Sequence, residues 1–248
     1  ALDMALVGRS PYLEFGTKTA SVEIRNLVGD QAKYYGEISV KGKDVFSQSF
    51  GDVPATVEIM YKGKPKIIAK SQTFKISETA VITQGAEIFV VLDSGQVYHP
   101  KAIFNYNFEK KVIIISRGKE GLTRANFQDD YHNLEYEVDN INWKQEEPFI
   151  EFDNLSNDKP AIIESINYFK QFKYDKIQGM LSANPIEVMV RYAIRNRTKK
   201  FSIEDYAKYR RNKKKNLIQQ IYDLADGGFI SYNPKTDSIT VKMKMYNY

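Results

Sequence analysis

The 248-residue chain contains no cysteine, one tryptophan and two histidines. The absence of cysteine excludes disulfide bonds, thiol nucleophiles and every zinc or iron–sulfur site that depends on cysteine ligands. It does not fix the cellular compartment, because cysteine-free chains occur on both sides of a membrane. No uninterrupted apolar run approaches the roughly 20 residues that a membrane-spanning helix requires, and we therefore expect no transmembrane segment.

The chain also lacks the short motifs that would indicate an enzyme. It has no Gly-x-Ser-x-Gly elbow, no Gly-x-Gly-x-x-Gly fingerprint and no phosphate-binding P-loop pattern. One acidic cluster has the residue types for hydrolysis or for a hard cation, but its glutamates alternate with apolar residues as on a solvent-facing strand, and its aspartates are expected in a loop. We therefore predict no catalytic residue, no metal site and no cofactor. The cluster consists of Asp129, Asp130, His132, Glu135 and Glu137.

Residues 1–153 carry the pattern of a domain built from short β-strands. Alternating or fully apolar runs recur at 21–25, 35–40, 56–61, 73–77, 86–92 and 111–116, with glycine-containing turns between them. The turn from Asp93 to Gly95 between two apolar runs is a hairpin signal. This pattern is typical of an antiparallel sandwich, a closed sheet or stacked sheets.

Four aromatic residues follow this hairpin signal at even spacing, which places them on one face of a strand if the strand is regular. A core face is the expected role, and a platform for stacking nucleic-acid bases is the alternative. The four residues are Tyr98, Phe104, Tyr106 and Phe108.

Residues 154–183 are interpreted as a linker and a helix. The stretch 153–158 is polar and rich in turn formers. Residues 160–172 have the spacing of an apolar helix face, and 173–183 form an irregular or short helical connection in this interpretation. The apolar face consists of Ile162, Ile163, Ile166, Phe169 and Phe172.

Residues 184–248 contain the start and stop signals of three helices. Asn184, Pro185 and Glu187 suit an N-cap, a first helical position and a capping box, and a second start lies at Ser202. A third helix begins near Asn212 and stops at the glycine pair 227–228. The apolar stripes are Ile186, Met189, Val190, Ala193 and Ile194 in the first helix, Ile203, Tyr206 and Ala207 in the second, and Leu217, Ile218, Ile221, Tyr222 and Ala225 in the third.

Two short strands, 229–232 and 238–241, follow the third helix and are separated by turn-forming residues. Three helices followed by a hairpin, with a tight turn between the second and third helices, resemble the winged-helix family over about residues 184–243. We therefore predict an α+β fold. It comprises an antiparallel β-rich domain (1–153, a sandwich or stacked sheet), the linker and helix (154–183) and a winged-helix-like domain (184–248).

Positive charge is concentrated in the last of these regions. Residues 191–215 contain eleven Lys and Arg residues and two acidic residues, a net charge of +9, whereas the whole chain carries +5. Such a basic face favours an anionic partner, and a merely solubilising surface is the alternative. The predicted binding residues are Arg191, Arg195, Arg197, Lys199, Lys200, Arg210, Arg211, Lys213, Lys214 and Lys215, together with Asn216, Gln219 and Gln220.

The winged-helix resemblance implies one specific use of these residues. Family members that bind DNA place the third helix in the major groove, where asparagine and glutamine suit adenine and lysine suits phosphate or guanine. Other winged helices bind proteins or only support a structure, so the fold alone does not decide the function. The positions expected to be exposed on this helix are Lys213, Lys214, Lys215, Asn216, Gln219, Gln220 and Asp223.

A second resemblance covers about residues 57–248. Residues 131–134, 140–143 and 148–152, followed by the helix and the winged-helix segment, are similar to a strand-rich plus winged-helix part of very large exported proteins of Gram-negative envelopes. That group has no established function. The resemblance implies an extracytoplasmic location, in the envelope or secreted, and a structural or interaction role. A DNA-binding function would instead imply the cytoplasm.

The leading hypothesis is therefore a non-enzymatic interaction or scaffold module whose basic face binds an acidic protein, an anionic glycan or another envelope component. The alternative is a protein that binds double-stranded DNA and uses its β-rich domain as a sensor or oligomeriser. The sequence does not indicate an oligomeric state. Because the chain begins at Ala1 and not at a methionine, we interpret it as a mature product or as an excised fragment.

Overall fold

The fold is a strand-rich mixture of β and α structure, with one large antiparallel sheet and with helices mostly in the C-terminal part. The computed structural model describes residues 14–16, 22–25, 27, 31–41, 44–49, 53–156, 160–166, 171–234 and 236–248. Fifteen described strands form the large sheet. They are β1 (Glu14–Gly16), β2 (Val22–Ile24), β3 (Ala32–Lys41), β4 (Asp44–Gln48), β5 (Ala55–Tyr61), β6 (Lys64–Ser71), β7 (Thr73–Ile76), β8 (Ala80–Val91), β9 (Gln96–Asn107), β10 (Val112–Ser116), β11 (Phe127–Asp129), β12 (Leu134–Glu137), β13 (Asn140–Lys144), β14 (Glu151–Asp153) and β15 (Ile162–Ser165).

Six of these strands form a closed circuit of hydrogen-bonded neighbours. The path β8–β6–β5–β3–β4–β7 returns to β8, because β8 pairs with β6 through residues 87–90 and with β7 through residues 81–82. Alternate side chains point inward, as Ala55, Val57 and Ile59 do on β5, and together they form one apolar core. From β8 the sheet continues through β9, β10 and β13 to β14, while β11, β12 and β15 branch from β9.

The predicted strand runs are confirmed where the structure describes them, and Asp93 to Gly95 connects β8 to β9 as predicted. Trp143 on β13 lies in the core of this β-rich part, by which we mean the described residues from 14 to 166. Its side chain is 2% exposed, and its Nε1 donates to the Glu147 carbonyl at 3.0 Å. Because it is the single tryptophan of the chain, its fluorescence reports on the β-rich part alone.

The predicted core role is confirmed for Phe104, Tyr106 and Phe108, whereas a bulge in β9 places Tyr98 on the other face. At the segment that contains Pro100, β9 has one residue more than its partner β8 between two ladder pairs. Because successive side chains alternate between the two sides of a strand, the extra residue moves all later side chains to the other side. Phe104 and Tyr106 therefore lie in the core, and Tyr98 lies on the opposite face.

The C-terminal part, residues 171–248, contains the five described α-helices and a small three-stranded sheet. Its elements are α1 (Gln171–Gln178), α2 (Pro185–Arg195), β16 (Lys200–Ser202), α3 (Ile203–Tyr209), α4 (Lys214–Asp226), β17 (Ile230–Asn233), β18 (Ser238–Val241) and α5 (Met243–Asn247). The strand order is β16–β18–β17. Its separate apolar core also receives Leu122, which projects from a 3₁₀-helix of the β-rich part at Gly121–Arg124.

The predicted helix signals of the C-terminal part are confirmed by hydrogen bonds. Asn184 Oδ1 accepts from the backbone N–H of Ile186 at 2.9 Å, and Ser202 Oγ accepts from the backbone N–H of Asp205 at 3.0 Å. Gly228 takes a left-handed conformation after α4, with φ of 73°. No helix of the described residues has the length and the apolar character needed to cross a membrane.

Two details of α2 differ from the prediction. Glu187 accepts hydrogen bonds from the Tyr174 hydroxyl and from Arg191, so the predicted capping box is replaced by links to α1 and to the next helical turn. Ile194, predicted on the apolar stripe, is 63% exposed. Tyr192 is buried instead, and it therefore supplies the apolar contact that was expected from Ile194.

The prediction of a helix at residues 160–172 is also wrong. β15 pairs with β12, with Ile163 opposite Tyr136, and α1 begins only at Gln171. A short isoleucine-rich run fits the periodicity of either element, and branched side chains suit a strand once a neighbouring strand supplies backbone partners. Ile162 and Ile163 are exposed in the structure, and Phe169 lies outside the described residues.

His99 on β9 is part of the β-rich core, and both of its ring nitrogens are hydrogen-bonded. Nδ1 accepts from the backbone N–H of Lys101 at 3.1 Å, so the proton is on Nε2, which donates to the Ala125 carbonyl at 2.8 Å. Burial lowers the pKa of His99 to about 3. The ring is therefore neutral, and neither nitrogen is available for chemistry.

We expect His99 to make the β-rich core sensitive to acid. Because its pKa in the folded state lies below the ordinary value of 6.5, its contribution to stability is complete above pH 6.5. It is lost as the pH falls from 6.5 toward 3, by up to about 1.4 kcal/mol per pH unit. Urea unfolding, followed by Trp143 fluorescence, should give a free energy of unfolding that is about 2 kcal/mol lower at pH 5 than at pH 7. This difference should be absent in His99→Gln. His132→Gln, which changes a more exposed histidine, should show the same decrease as the wild type between pH 7 and pH 5. If His99→Gln also showed the decrease of the wild type, this expectation would be contradicted.

Candidate functional site

The ten cations of the basic face lie in two groups on the C-terminal part. The rings of Tyr192 on α2 and Tyr209 at the end of α3 are 5.0 Å apart, so the helices that carry parts of the two groups are packed together. One group runs from α2 into β16 and consists of Arg191, Arg195, Arg197, Lys199 and Lys200. The other surrounds the turn between α3 and α4 and consists of Arg210, Arg211, Lys213, Lys214 and Lys215.

Most of these cations form no ion pair with any residue that the structure describes. Arg191 has an exposed pair with Glu187 at 3.4 Å, and Lys214 pairs with Asp237. Arg210 is half-buried. The remaining cations are exposed and direct an uncompensated charge toward solvent. They are Arg195, Arg197, Lys199, Lys200, Arg211, Lys213 and Lys215.

Two of these seven cations occupy left-handed backbone conformations. Arg197 has a φ of 51° just after α2, and Arg211 has a φ of 50° just after α3. Glycine adopts this conformation readily, whereas for a residue with a side chain it costs roughly 1–2 kcal/mol. The β-rich part holds two cations in the same conformation, Lys62 and Lys111, with φ of 50° and 52°.

The N-terminal end of α4 is positively charged and exposed. Lys213 is its N-cap residue without a side-chain cap hydrogen bond, and the first turn contains no acidic residue, so the lysines there oppose the helix dipole. The predicted contact positions Asn216 and Gln219 are exposed, but Gln220 and Lys214 are half-buried. Lys213, Asn216 and Gln219 are therefore more exposed to solvent than Lys214 and Gln220.

A buried polar interface joins the β-rich part to the C-terminal part, and it was not predicted from the sequence. Glu135 on β12 and Lys244 on α5 form an ion pair whose side chains are only 6% and 7% exposed. The prediction that Glu135 faces solvent is therefore wrong, because α5 covers that side of β12, while Glu137 is half-buried. Burial lowers the pKa of Lys244, and the charge of Glu135 opposes that change.

Lys242 and Tyr98 form the second part of this interface. Lys242 Nζ donates to Gln128 Oε1 at 2.6 Å and lies 4.1 Å from the centre of the Tyr98 ring. The Tyr98 hydroxyl is 3.1 Å from the Ser231 hydroxyl and donates to Glu87 at 3.2 Å. Burial raises the pKa of Tyr98 and lowers that of Lys242 to about 8. These side chains line a cavity of about 690 Å³ between the two parts.

The acidic cluster of the sequence is divided among unrelated contacts. Asp129, predicted in a loop, is the buried last residue of β11 and accepts from His132 Nδ1 and from the Tyr136 hydroxyl, each at 2.7 Å. Asp130 accepts from a backbone N–H of β9, and Glu135 belongs to the interface. Within the described residues, no three of the side chains His, Asp and Glu are grouped as a metal ion would require.

A comparison with protein-family models finds no match, and neither does a comparison with curated proteins. The basic face and the interface are therefore interpreted from their own chemistry. The interface has one weak sequence signal, since Lys242 and Lys244 alternate with apolar residues directly after β18. Alternation predicts a half-buried segment, but it does not identify what buries it.

Proposed function

We propose that the protein is a non-enzymatic interaction or scaffold module whose basic face binds an anionic partner. The observation that carries the proposal is the set of seven exposed cations on the C-terminal part that lack a carboxylate partner among the described residues. Cations that no acid compensates produce a positive local potential, which attracts anions and raises their association rate. A solubilising surface would not require such a concentration of one sign of charge.

Arg197 and Arg211 are well suited to a test of the binding role. Each is exposed, lacks an acidic partner among the described residues and has a left-handed backbone conformation that glycine adopts readily. Lys62 and Lys111 have the same conformation in the β-rich part. We therefore place both arginines among the residues that contact the partner because of their uncompensated charge, and not because of their backbone.

We interpret residues 184–248 as a winged-helix-like domain. The order α2, β16, α3, α4 and the β17–β18 hairpin supports this interpretation, as does the pairing of β16 with β18 in the small sheet. The fold does not define the partner. The resemblance of the longer stretch to exported envelope proteins favours an acidic protein, an anionic glycan or another envelope component, and a location outside the cytoplasm.

Arg197→Gly combined with Arg211→Gly tests the proposal without a loss of folding. Glycine suits both backbone conformations, so we expect unchanged or slightly higher stability. We expect an affinity for a heparin dodecasaccharide or a poly-glutamate peptide that is about threefold to tenfold lower at low salt, because two exposed charge contacts are removed. Fluorescence anisotropy at about 50 and 200 mM salt measures both the affinity and its salt dependence.

The matched control is Lys62→Gly combined with Lys111→Gly. It removes two cations from the same backbone conformation in the β-rich part, where Lys111 is paired with Glu146. We expect this variant to bind both probes like the wild type. Equal affinity in the arginine variant and the lysine variant would contradict a binding role of the basic face.

A second candidate function, binding of double-stranded DNA, is favoured by the exposed N-terminal end of α4. There, Lys213 and Lys215 have no acidic partner among the described residues, and Asn216 and Gln219 are exposed beside them. In this proposal the lysines contact phosphates and the amides contact base edges in the major groove. Lys213→Gln combined with Lys215→Gln tests it and leaves the Lys214–Asp237 pair intact.

Base-sequence preference separates the two functions. Any polyanion competes for a basic face, so salt-dependent binding of random duplex DNA does not distinguish DNA from a glycan. Selection from a pool of random duplexes should enrich no sequence under the first proposal. It should enrich a defined site, lost in the Lys213/Lys215 variant, under the second.

A further inference from the structure

The cavity between the β-rich part and the C-terminal part has the size and the mixed lining of a small-molecule site. Its volume is about 690 Å³, within the range of roughly 300–1,000 Å³ that is usual for ligand pockets. Phe89, Val241 and Met243 give it apolar walls, and Lys242 lies among them. The cavity is thus able to surround a molecule that has an apolar body and one polar end.

Lys242 is a half-buried cation of this cavity, and only one hydrogen-bond acceptor is found for it among the described residues. An ammonium group has three N–H donors. Among the described residues, one hydrogen bond goes to Gln128 Oε1 and the ring of Tyr98 faces the group at 4.1 Å, but no carboxylate forms an ion pair with it. Burial lowers the pKa of Lys242 to about 8, although the charges of Glu135, Glu87 and Asp130 act to raise it.

Of the other charged groups that line the cavity or lie beside it, Lys244 is paired with Glu135, the Glu87 carboxylate accepts from Tyr98, and Asp130 accepts from a backbone N–H. The three carboxylates still attract Lys242, but only at longer range. Lys199 of the basic face also lines the cavity. Lys242 and Lys199 therefore line it without an ion pair among the described residues, and of these two Lys242 is the less exposed.

We propose that this cavity binds a small amphipathic carboxylic acid, with its carboxylate on Lys242 and its apolar body against Phe89, Val241 and Met243. A carboxylate supplies the ion-pair partner that the half-buried ammonium group of Lys242 lacks among the described residues. A carboxylate also accepts the unused N–H donors of Lys242, and this type of charge-assisted hydrogen bond is a strong one. The site lies at the interface and shares Lys199 with the basic face.

Calorimetric titration with octanoate and with 1-octanol tests the charge requirement, because the two probes differ only in the polar end. We expect octanoate to bind one site per chain and octanol to bind at least tenfold more weakly. Lys242→Met should reduce the octanoate affinity about tenfold to hundredfold, because it removes a hydrogen bond between charged groups, and should leave the octanol affinity nearly unchanged. No binding of octanoate at millimolar concentration, or equal affinity of both probes, would overturn the proposal.

A measurement on the wild-type protein covers the case in which Lys242→Met does not fold. Lysine acetylation by an activated ester at pH 8, read out by mass spectrometry, should label Lys242 and should be slowed there by octanoate. Lys144, an exposed lysine on β13, should be labelled equally with and without octanoate. Slowing at both lysines, or at neither, would mean that octanoate does not occupy the cavity and would overturn the proposal.

Discussion

Lys244→Met is expected to lower the free energy of unfolding by about 3–5 kcal/mol, because it leaves the buried Glu135 carboxylate without its cation. The two side chains are 7% and 6% exposed, so water cannot replace the lost partner. Methionine keeps most of the apolar part of the Lys244 side chain, whose Nζ lies 5.0 Å from the centre of the Phe229 ring. The substitution therefore removes mainly the charge. Glu164, opposite Glu135 on β15, adds a second negative charge nearby.

The double variant Glu135→Leu/Lys244→Met distinguishes the effect of the missing charge on stability from the effect of the altered side-chain packing. With both charges removed, we expect most of the lost stability to return, since well-packed apolar residues often replace a buried ion pair without loss. The defect of Lys244→Met alone should shrink at pH 5, because an unpaired buried carboxyl takes up a proton more readily. Urea unfolding, followed by Trp143 fluorescence and by circular dichroism of the helices, measures the stability of both variants and of the wild type.

Lys144→Met is the matched control for this series. Lys144 pairs with Glu147 at the surface, where the same substitution should change the unfolding midpoint far less. A double variant as unstable as Lys244→Met would show that shape, and not charge, determines the loss. The interface would then be held together by its apolar contacts.

The elements of the C-terminal part could be predicted because their signals are local. An N-cap side chain such as Asn184 or Ser202 bonds an amide two or three residues away, and Gly228 allows a left-handed turn by its own lack of a side chain. The sequence alone therefore locates where these helices begin or end. The alternating runs of the β-rich part are local signals of the same kind.

The contacts between the two parts could not be predicted, because they depend on which distant segments meet. Glu135 has the position of a solvent-facing residue on its own strand, and only the arrival of α5 buries it. The bulge at Pro100 turns Tyr98 away from the core, and alternation along the sequence does not indicate one extra residue relative to the partner strand. The basic face was predictable from composition, whereas the pairing of Lys214 with Asp237 across 23 positions was not.

Gly228→Ala is expected to lower the free energy of unfolding by about 2–4 kcal/mol and to weaken the contacts between the β-rich part and the C-terminal part. Its φ of 73° is unfavourable for alanine, which contributes about 1 kcal/mol. A methyl group at this position would lie 1.9 Å from Gln128 Nε2 and 3.0 Å from Glu135 Oε1, an overlap of the kind that costs about 1–3 kcal/mol in a packed site. Gln128 cannot turn aside freely, because its Oε1 accepts the hydrogen bond from Lys242.

Gly63→Ala isolates the contact from the conformational cost. Gly63 has a φ of 77°, and a methyl group there would meet nothing within 4 Å. Gly63→Ala should therefore lower the free energy of unfolding only by the conformational contribution of about 1 kcal/mol. Since Gly228 belongs to the C-terminal part and Gln128 to the β-rich part, the excess loss in Gly228→Ala should appear as a weaker connection between them. In Gly228→Ala, we expect the helices to unfold at a lower urea concentration than the core around Trp143. Coincident unfolding transitions, together with an equal decrease of the free energy of unfolding in Gly228→Ala and Gly63→Ala, would show that Gln128 adjusts without a loss of stability. In that case a rearrangement of the Gln128 side chain would be sufficient to accommodate a methyl group at Gly228.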